Sequence, residues 1–122
     1  MRYLSLYRPL AGEEGAMPEP EHMEAMGRLV EEMTAKGSLL NTEPLGVRAL
    51  GARVTMKDGQ VSVADEDERM GGYALLQAGS REEAIALAKT FLKVAGDGVC
   101  EIRQIMEFGP PPSQPPIRDP GR

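Results

Sequence analysis

The chain has no tryptophan, one cysteine, one histidine and an aromatic content of only 4%. With Cys100 alone it forms no internal disulfide, which favours a reducing compartment, and we expect the cytoplasm. The few aromatic residues leave little material for the stacking platforms that bind single-stranded nucleic acid. The formal net charge is −5 and the basic residues are scattered, so we expect no nucleic-acid partner.

Long apolar runs are also missing. No stretch approaches the roughly 20 residues that a membrane-spanning helix needs, and the first residues lack a signal-peptide pattern, so we expect no membrane partner. A length of 122 residues fits one domain. Prolines crowd the end of the chain. We therefore expect a domain over residues 1–108 and a proline-rich tail over 109–122 that is extended or disordered.

Periodic apolar positions and turn residues predict the elements of this domain. Alternation favours strands, spacings of three and four favour helices, and Asp58-Gly59 is typical of a tight hairpin turn. In the first helix the apolar stripe includes Met23, and Gly37 ends the helix. The predicted elements are a strand over 2–7, a helix over 20–36, short extended segments over 38–44 and 47–50, a β-hairpin over 51–64, a central strand over 72–78, a helix over 81–95 capped by Ser80, and a strand over 99–108.

This order predicts an α+β, ferredoxin-like split βαβ fold, with two helices on one face of an antiparallel sheet and an inserted β-hairpin. Apolar side chains nevertheless point to both faces of the first strand, and the same holds for the central strand. Two helices cover only one face. We therefore expect a homodimer that buries the other.

Six short strings stand in order along the chain: Met1–Tyr7, Pro20–Met23, Gly59–Asp65, Gly71–Leu75, Ser80–Ala84 and Cys100–Arg103. Together they resemble the YCII-related proteins, in the branch named for an Asp-Gly-Pro-Phe motif. The resemblance covers about residues 1–107 and implies a dimeric ferredoxin-like fold. Asp65 matches the first residue of the motif, but Gly-Pro-Phe is missing and the link that follows is shorter.

His22 is the candidate acid/base, because it is the only histidine and a helix start favours its neutral form. The resemblance implies a histidine on the first helix near an acidic residue, which makes Asp65 its candidate helper. Tyr7 and Arg8 are candidate ligand-binding residues at the end of the first strand, with Arg8 suited to an anion. Two of these candidates have a structural alternative: His22 as a surface or partly packed histidine near a helix start, and Arg8 as an edge arginine. We predict no metal and no cofactor, and interpret residues 65–68 as a solvated link.

Two functions stay open. The first is a homodimer that binds an unknown small molecule between the first helix and the sheet, with enzymatic activity undecided and His22 as its acid/base. The alternative is a non-catalytic interaction module with a regulatory protein partner. The resemblance links that role to transcription, through relatives associated with extracytoplasmic-function sigma factors. A pocket that contains His22 would favour the first function.

Overall fold

The computed structural model describes residues 1–10, 16–66 and 69–107. The predicted tail therefore lies outside the described residues. The elements are β1 (Arg2–Pro9), α1 (Pro20–Ala35), β2 (Leu39–Pro44), a 3-10 helix (Arg48–Leu50), β3 (Arg53–Lys57), β4 (Gln60–Ala64), β5 (Gly72–Gln77), α2 (Arg81–Ala95) and β6 (Gly98–Gln104).

Four strands form the main sheet in the order β2-β5-β1-β6, and every neighbouring pair is antiparallel. Both helices pack on one face, which confirms the α+β, ferredoxin-like prediction. The prediction for residues 47–50 was wrong. They turn as a 3-10 helix, because no strand lies alongside and the Leu50 N–H donates locally to the Val47 carbonyl at 2.9 Å.

The helix ends show why these segments are helical. Pro20 occupies the first turn of α1, where its missing N–H costs nothing. Gly37 follows with a φ of +79°, the left-handed conformation that glycine adopts without strain. At the start of α2, the Ser80 hydroxyl accepts a hydrogen bond from the Glu83 N–H at 3.1 Å, as the capping pattern predicts. Within the described residues, neither helix is long and apolar enough to cross a membrane.

The core lies between the helices and the sheet. Its most buried side chains include Tyr3 and Leu76 from the strands, Leu29 from α1 and Ala84 from α2. Met23, expected in the apolar stripe, is 51% exposed. It lies in the first turn of α1, at the border of the stripe formed by the later buried positions, so the prediction for this residue was wrong.

The main sheet has an apolar layer on each side. Tyr3 and Leu76 lie opposite each other on the helix-covered face, whereas Leu4 and Leu75, one position along each strand, lie opposite each other on the helix-free face. Leu6 and Tyr73 form a second pair there. In the described part of the chain no helix covers this face.

The hairpin of β3 and β4 forms a separate two-stranded sheet. Asp58 and Gly59 both have positive φ, 51° and 78°, as a type I′ turn requires. Every residue of the two strands is exposed. Directly opposite pairs place four apolar side chains on one face, which we call the hairpin apolar face, and their exposed fractions run from 61% to 69%: Val54, Met56, Val61 and Val63.

Candidate functional site

A cavity of about 230 Å³ lies between both helices and the helix-covered face of the sheet. The strands supply Ser5 and Tyr7 from β1, Thr42 from β2 and Ala74 from β5. Strand alternation places Ser5 and Tyr7 on the same side. Tyr3, two residues before Ser5 on the same face of β1, fills the core with a large ring. The small side chains of Ser5 and Ala74 instead leave space.

The helices complete the cavity. Met26 and Leu29 line it from α1, and Leu87, Ala88 and Phe91 line it from α2. These positions follow helical spacings of three and four, so each set lies on one face of its helix. The short side chain of Ala88 adds to the space, because it fills less of the gap between α2 and the sheet than its larger neighbours do.

Tyr7 forms the end of the cavity nearest the start of β5. Its ring packs edge-on against Phe91, with centroids 5.1 Å apart and an interplanar angle of 79°. Gly71 is required beside it, since a Cβ there would lie 2.7 Å from Tyr7 Cδ2. The Tyr7 hydroxyl donates to the Asp97 carbonyl at 3.4 Å. Burial raises the pKa of Tyr7, and the negative charges that Cys100 and Asp97 carry when ionised raise it further, so the phenol stays neutral.

Cys100 lies directly opposite Tyr7 in the β1–β6 pair and is half-buried. Burial raises the pKa of its thiol, and this outweighs a hydrogen bond with Ser5 that lowers it. The thiol is therefore protonated at neutral pH, which makes Cys100 a poor nucleophile.

His22 lies in the first turn of α1 and is half-buried. It precedes Met26 by four residues, so the two side chains lie on the same face of the helix, one turn apart. The cavity reaches Met26, but His22 is not among the residues that line it.

Asp65 and Arg8 also lie away from the cavity lining. Asp65 is exposed and follows β4 at the base of the hairpin. Arg8 donates a short hydrogen bond to Glu101 of β6. Because Arg8 is the next residue after Tyr7 in a strand, its side chain points to the helix-free face of the sheet. Of the four predicted site residues, only Tyr7 lines the cavity.

The sequence analysis missed several cavity residues, among them Ser5, Thr42, Ala74 and Ala88. Thr42 donates from its hydroxyl to the Tyr73 carbonyl at 2.7 Å, which holds its side chain against the sheet. One signal was present in the sequence: small side chains recur at positions that periodicity assigns to the core. Among the described residues, no three histidine, cysteine or acidic side chains come together to hold a metal ion.

The comparison with known families agrees with this architecture. The family model described as YCII-related domain matches residues 1–109, which is most of the chain. No curated relative shows a significant match. Because the matched segment includes every strand and both helices of the described fold, the chain belongs to the YCII-related family.

Proposed function

We propose that this protein binds a small molecule in the cavity between its helices and its sheet. The observation that carries the proposal is the cavity itself, about 230 Å³ with largely apolar walls from both helices and three strands. Protein interiors are normally close-packed, with few voids larger than a water molecule. At roughly 24 cal/mol per Å³, a fully enclosed void of this volume would cost about 5.5 kcal/mol, which is an upper bound for a cavity that is partly open to solvent. A ligand that fills it recovers much of that free energy.

The proposal is one of binding, and enzymatic activity stays undecided. The cavity offers the neutral phenol of Tyr7 and the hydroxyls of Ser5 and Thr42, and none of these is an activated acid or base. His22 stays a candidate acid/base by prediction alone, because the cavity is not the pocket containing His22 that would have favoured this role, although Met26, one turn along α1, lines it. Asp65 and Arg8 stay predictions without support from this cavity.

Indole is a suitable probe for the binding test. An apolar cavity of about 150 Å³ holds benzene, so 230 Å³ suits a ligand of roughly nine or ten non-hydrogen atoms. Since the chain has no tryptophan, indole fluorescence can be followed without an indole background from the protein. We expect a blue shift and saturation on titration with the protein.

Ala88→Phe should abolish this signal, because the ring fills the cavity from α2. The matched control is Ala86→Phe, at an exposed position of the same helix, which should bind indole like the unmodified chain. Thermal unfolding of both variants checks that they are folded. Equal indole binding by the two variants would contradict the location, and no binding by the unmodified protein would contradict the proposal.

We also propose that the protein is a cytoplasmic homodimer that buries the helix-free face of the sheet. Leu4, Leu6, Tyr73 and Leu75 form an apolar layer there, and Leu4 is 36% exposed. A second copy covers such a layer with the same layer of its own. The free thiol of Cys100 agrees with a reducing compartment.

Sedimentation equilibrium at micromolar concentration tests the dimer. The unmodified chain should sediment with twice the monomer mass. Leu75→Glu should sediment as a monomer, because Leu4 and Asn41 lie opposite this position and neither supplies a counter-charge for a buried carboxylate. Ala86→Glu, on the exposed side of α2, is the control and should stay dimeric. A monomer mass for the unmodified chain would overturn this part of the proposal.

The second candidate is a non-catalytic regulatory module, in the Asp-Gly-Pro-Phe branch and linked to sigma factors. The exposed hairpin apolar face favours it, because large apolar patches often mark protein contacts. It needs no ligand in the cavity, so the indole titration separates the two functions. Deletion of residues 109–122 tests the predicted tail: a defined sigma-factor partner bound equally well without them would exclude the tail as its contact.

A further inference from the structure

Among the residues that the structure describes, none presents a charged side chain to the space of the cavity. Glu43 is the one charged residue among those that line it. It lies directly opposite Tyr73, whose hydroxyl accepts a hydrogen bond from the Asn41 amide at 3.0 Å on the helix-free face. Directly opposite residues of an antiparallel pair share a face. Glu43 therefore borders the cavity with its backbone, and its carboxylate belongs to the other side of the sheet.

The polar groups within the cavity are already engaged. The Thr42 hydroxyl donates to the Tyr73 carbonyl, and the Tyr7 hydroxyl donates to the Asp97 carbonyl. Ser5 is only 7% exposed, and its hydroxyl lies close enough to Cys100 to lower the pKa of that thiol. None of these groups carries a charge that could pair with an ion. A charged ligand group would lose its hydration here without receiving a counter-charge, which is among the most costly events in a protein interior.

We propose that the ligand of this cavity is an uncharged, mainly apolar molecule of roughly ten non-hydrogen atoms. This inference rests on the proposed binding function and adds the chemical class of the ligand. Carboxylates, phosphates and amines of the same size are disfavoured by the same walls, whichever sign they carry. The arginine expected to hold an anion, Arg8, pairs instead with Glu101 on the opposite face of the sheet.

Three linear eight-carbon compounds that differ in their head group test the inference: 1-octanol, octanoate and octylammonium. Each is titrated into the full-length protein at neutral pH by calorimetry, and each competes with indole for the cavity. We expect 1-octanol to displace indole with an affinity at least about tenfold higher than that of either ion. The free energy of a tenfold difference in affinity is smaller than the cost of burying an unpaired charge.

Ala88→Phe is the control for location. It should remove the binding of 1-octanol and with it the preference over the ions, whereas Ala86→Phe should keep both. If either ion displaces indole within about tenfold of 1-octanol, the uncharged class is overturned while binding in the cavity stands. If indole and all three compounds fail to bind, the proposed function itself is overturned.

Discussion

The central strands of the main sheet carry apolar side chains on both faces, whereas the strands of the hairpin carry them on one face, and the two regions differ in what covers those faces. Leu76 of β5 is 3% exposed beneath the helices, whereas Val54 of β3 is 66% exposed. Both are apolar residues in antiparallel strands. The comparison shows that alternation decides which side chains share a face, and that helices placed elsewhere in the chain decide whether the face is covered.

The largest expected effect is the difference in the free energy of unfolding between two truncations, one in the main sheet and one in the hairpin. Leu76→Ala should lower the free energy of unfolding by about 2–5 kcal/mol, because it opens a further void in a core that already contains a cavity. Val54→Ala should change it by less than about 0.5 kcal/mol in the monomer. Urea unfolding of both variants provides the measurement. Similar losses would show that the hairpin is packed in solution.

The next effect concerns whether the hairpin apolar face contacts the second copy. Val63→Glu should weaken the proposed dimer by about tenfold or more, since burying a valine contributes about 1.5 kcal/mol and a glutamate opposes burial. Ser62→Glu, the adjacent residue on the polar face of the same strand, is the control and should leave the dimer intact. Dissociation constants from sedimentation decide the matter. Equal dissociation constants for the two variants would show that the dimer interface is formed by the main sheet without the hairpin.

A smaller effect should stay within the hairpin. Gly59→Ala places a Cβ at a φ of +78°, which costs about 1 kcal/mol. Hydrogen exchange of the β3 and β4 amides should become about fivefold faster, while the amides of β1 and β5 keep their protection. Gly27→Ala is the control, since its added methyl group meets open space on α1. Faster exchange throughout the molecule would show that the two regions unfold together.

The smallest effect is a pH dependence that belongs to the packed region. Burial raises the pKa of both Tyr7 and Cys100, so the folded state keeps these two protons longer than the unfolded chain does. The free energy of unfolding is unaffected below the ordinary thiol pKa of 9.0 and falls as the pH rises above it. The double variant Tyr7→Phe, Cys100→Ala should show a shallower alkaline decline in urea unfolding. If the free energy of unfolding of the double variant fell as steeply with pH as that of the unmodified chain, the decline would not come from Tyr7 and Cys100.

The elements of the fold were largely predictable because their signals are local. Proline at the start of α1, Ser80 at the start of α2 and Asp58-Gly59 in the hairpin each act within a few residues of the chain. The segment at 47–50 was predicted wrongly as extended, since its short apolar run carries no mark that distinguishes a 3-10 turn from a strand without a neighbour.

The candidate site was far less predictable. Tyr7 was identified, but His22, Asp65 and Arg8 were selected by chemical type, and residue type does not say where a side chain points. Arg8 follows Tyr7 directly and therefore faces the other side of the sheet. The residues that shape the cavity, such as Ser5 and Ala88, are small and have no chemical signature.

The sequence by itself determined the order of strands and helices, the tight turn of the hairpin and the two apolar layers of the sheet, because propensity, capping and periodicity operate over short distances along the chain. The tertiary structure alone decided which apolar layer the helices cover, that a cavity remains beneath them and that no described residue of the chain covers the hairpin apolar face. Those outcomes depend on how side chains from distant segments fill the space between elements, and no local pattern encodes that volume.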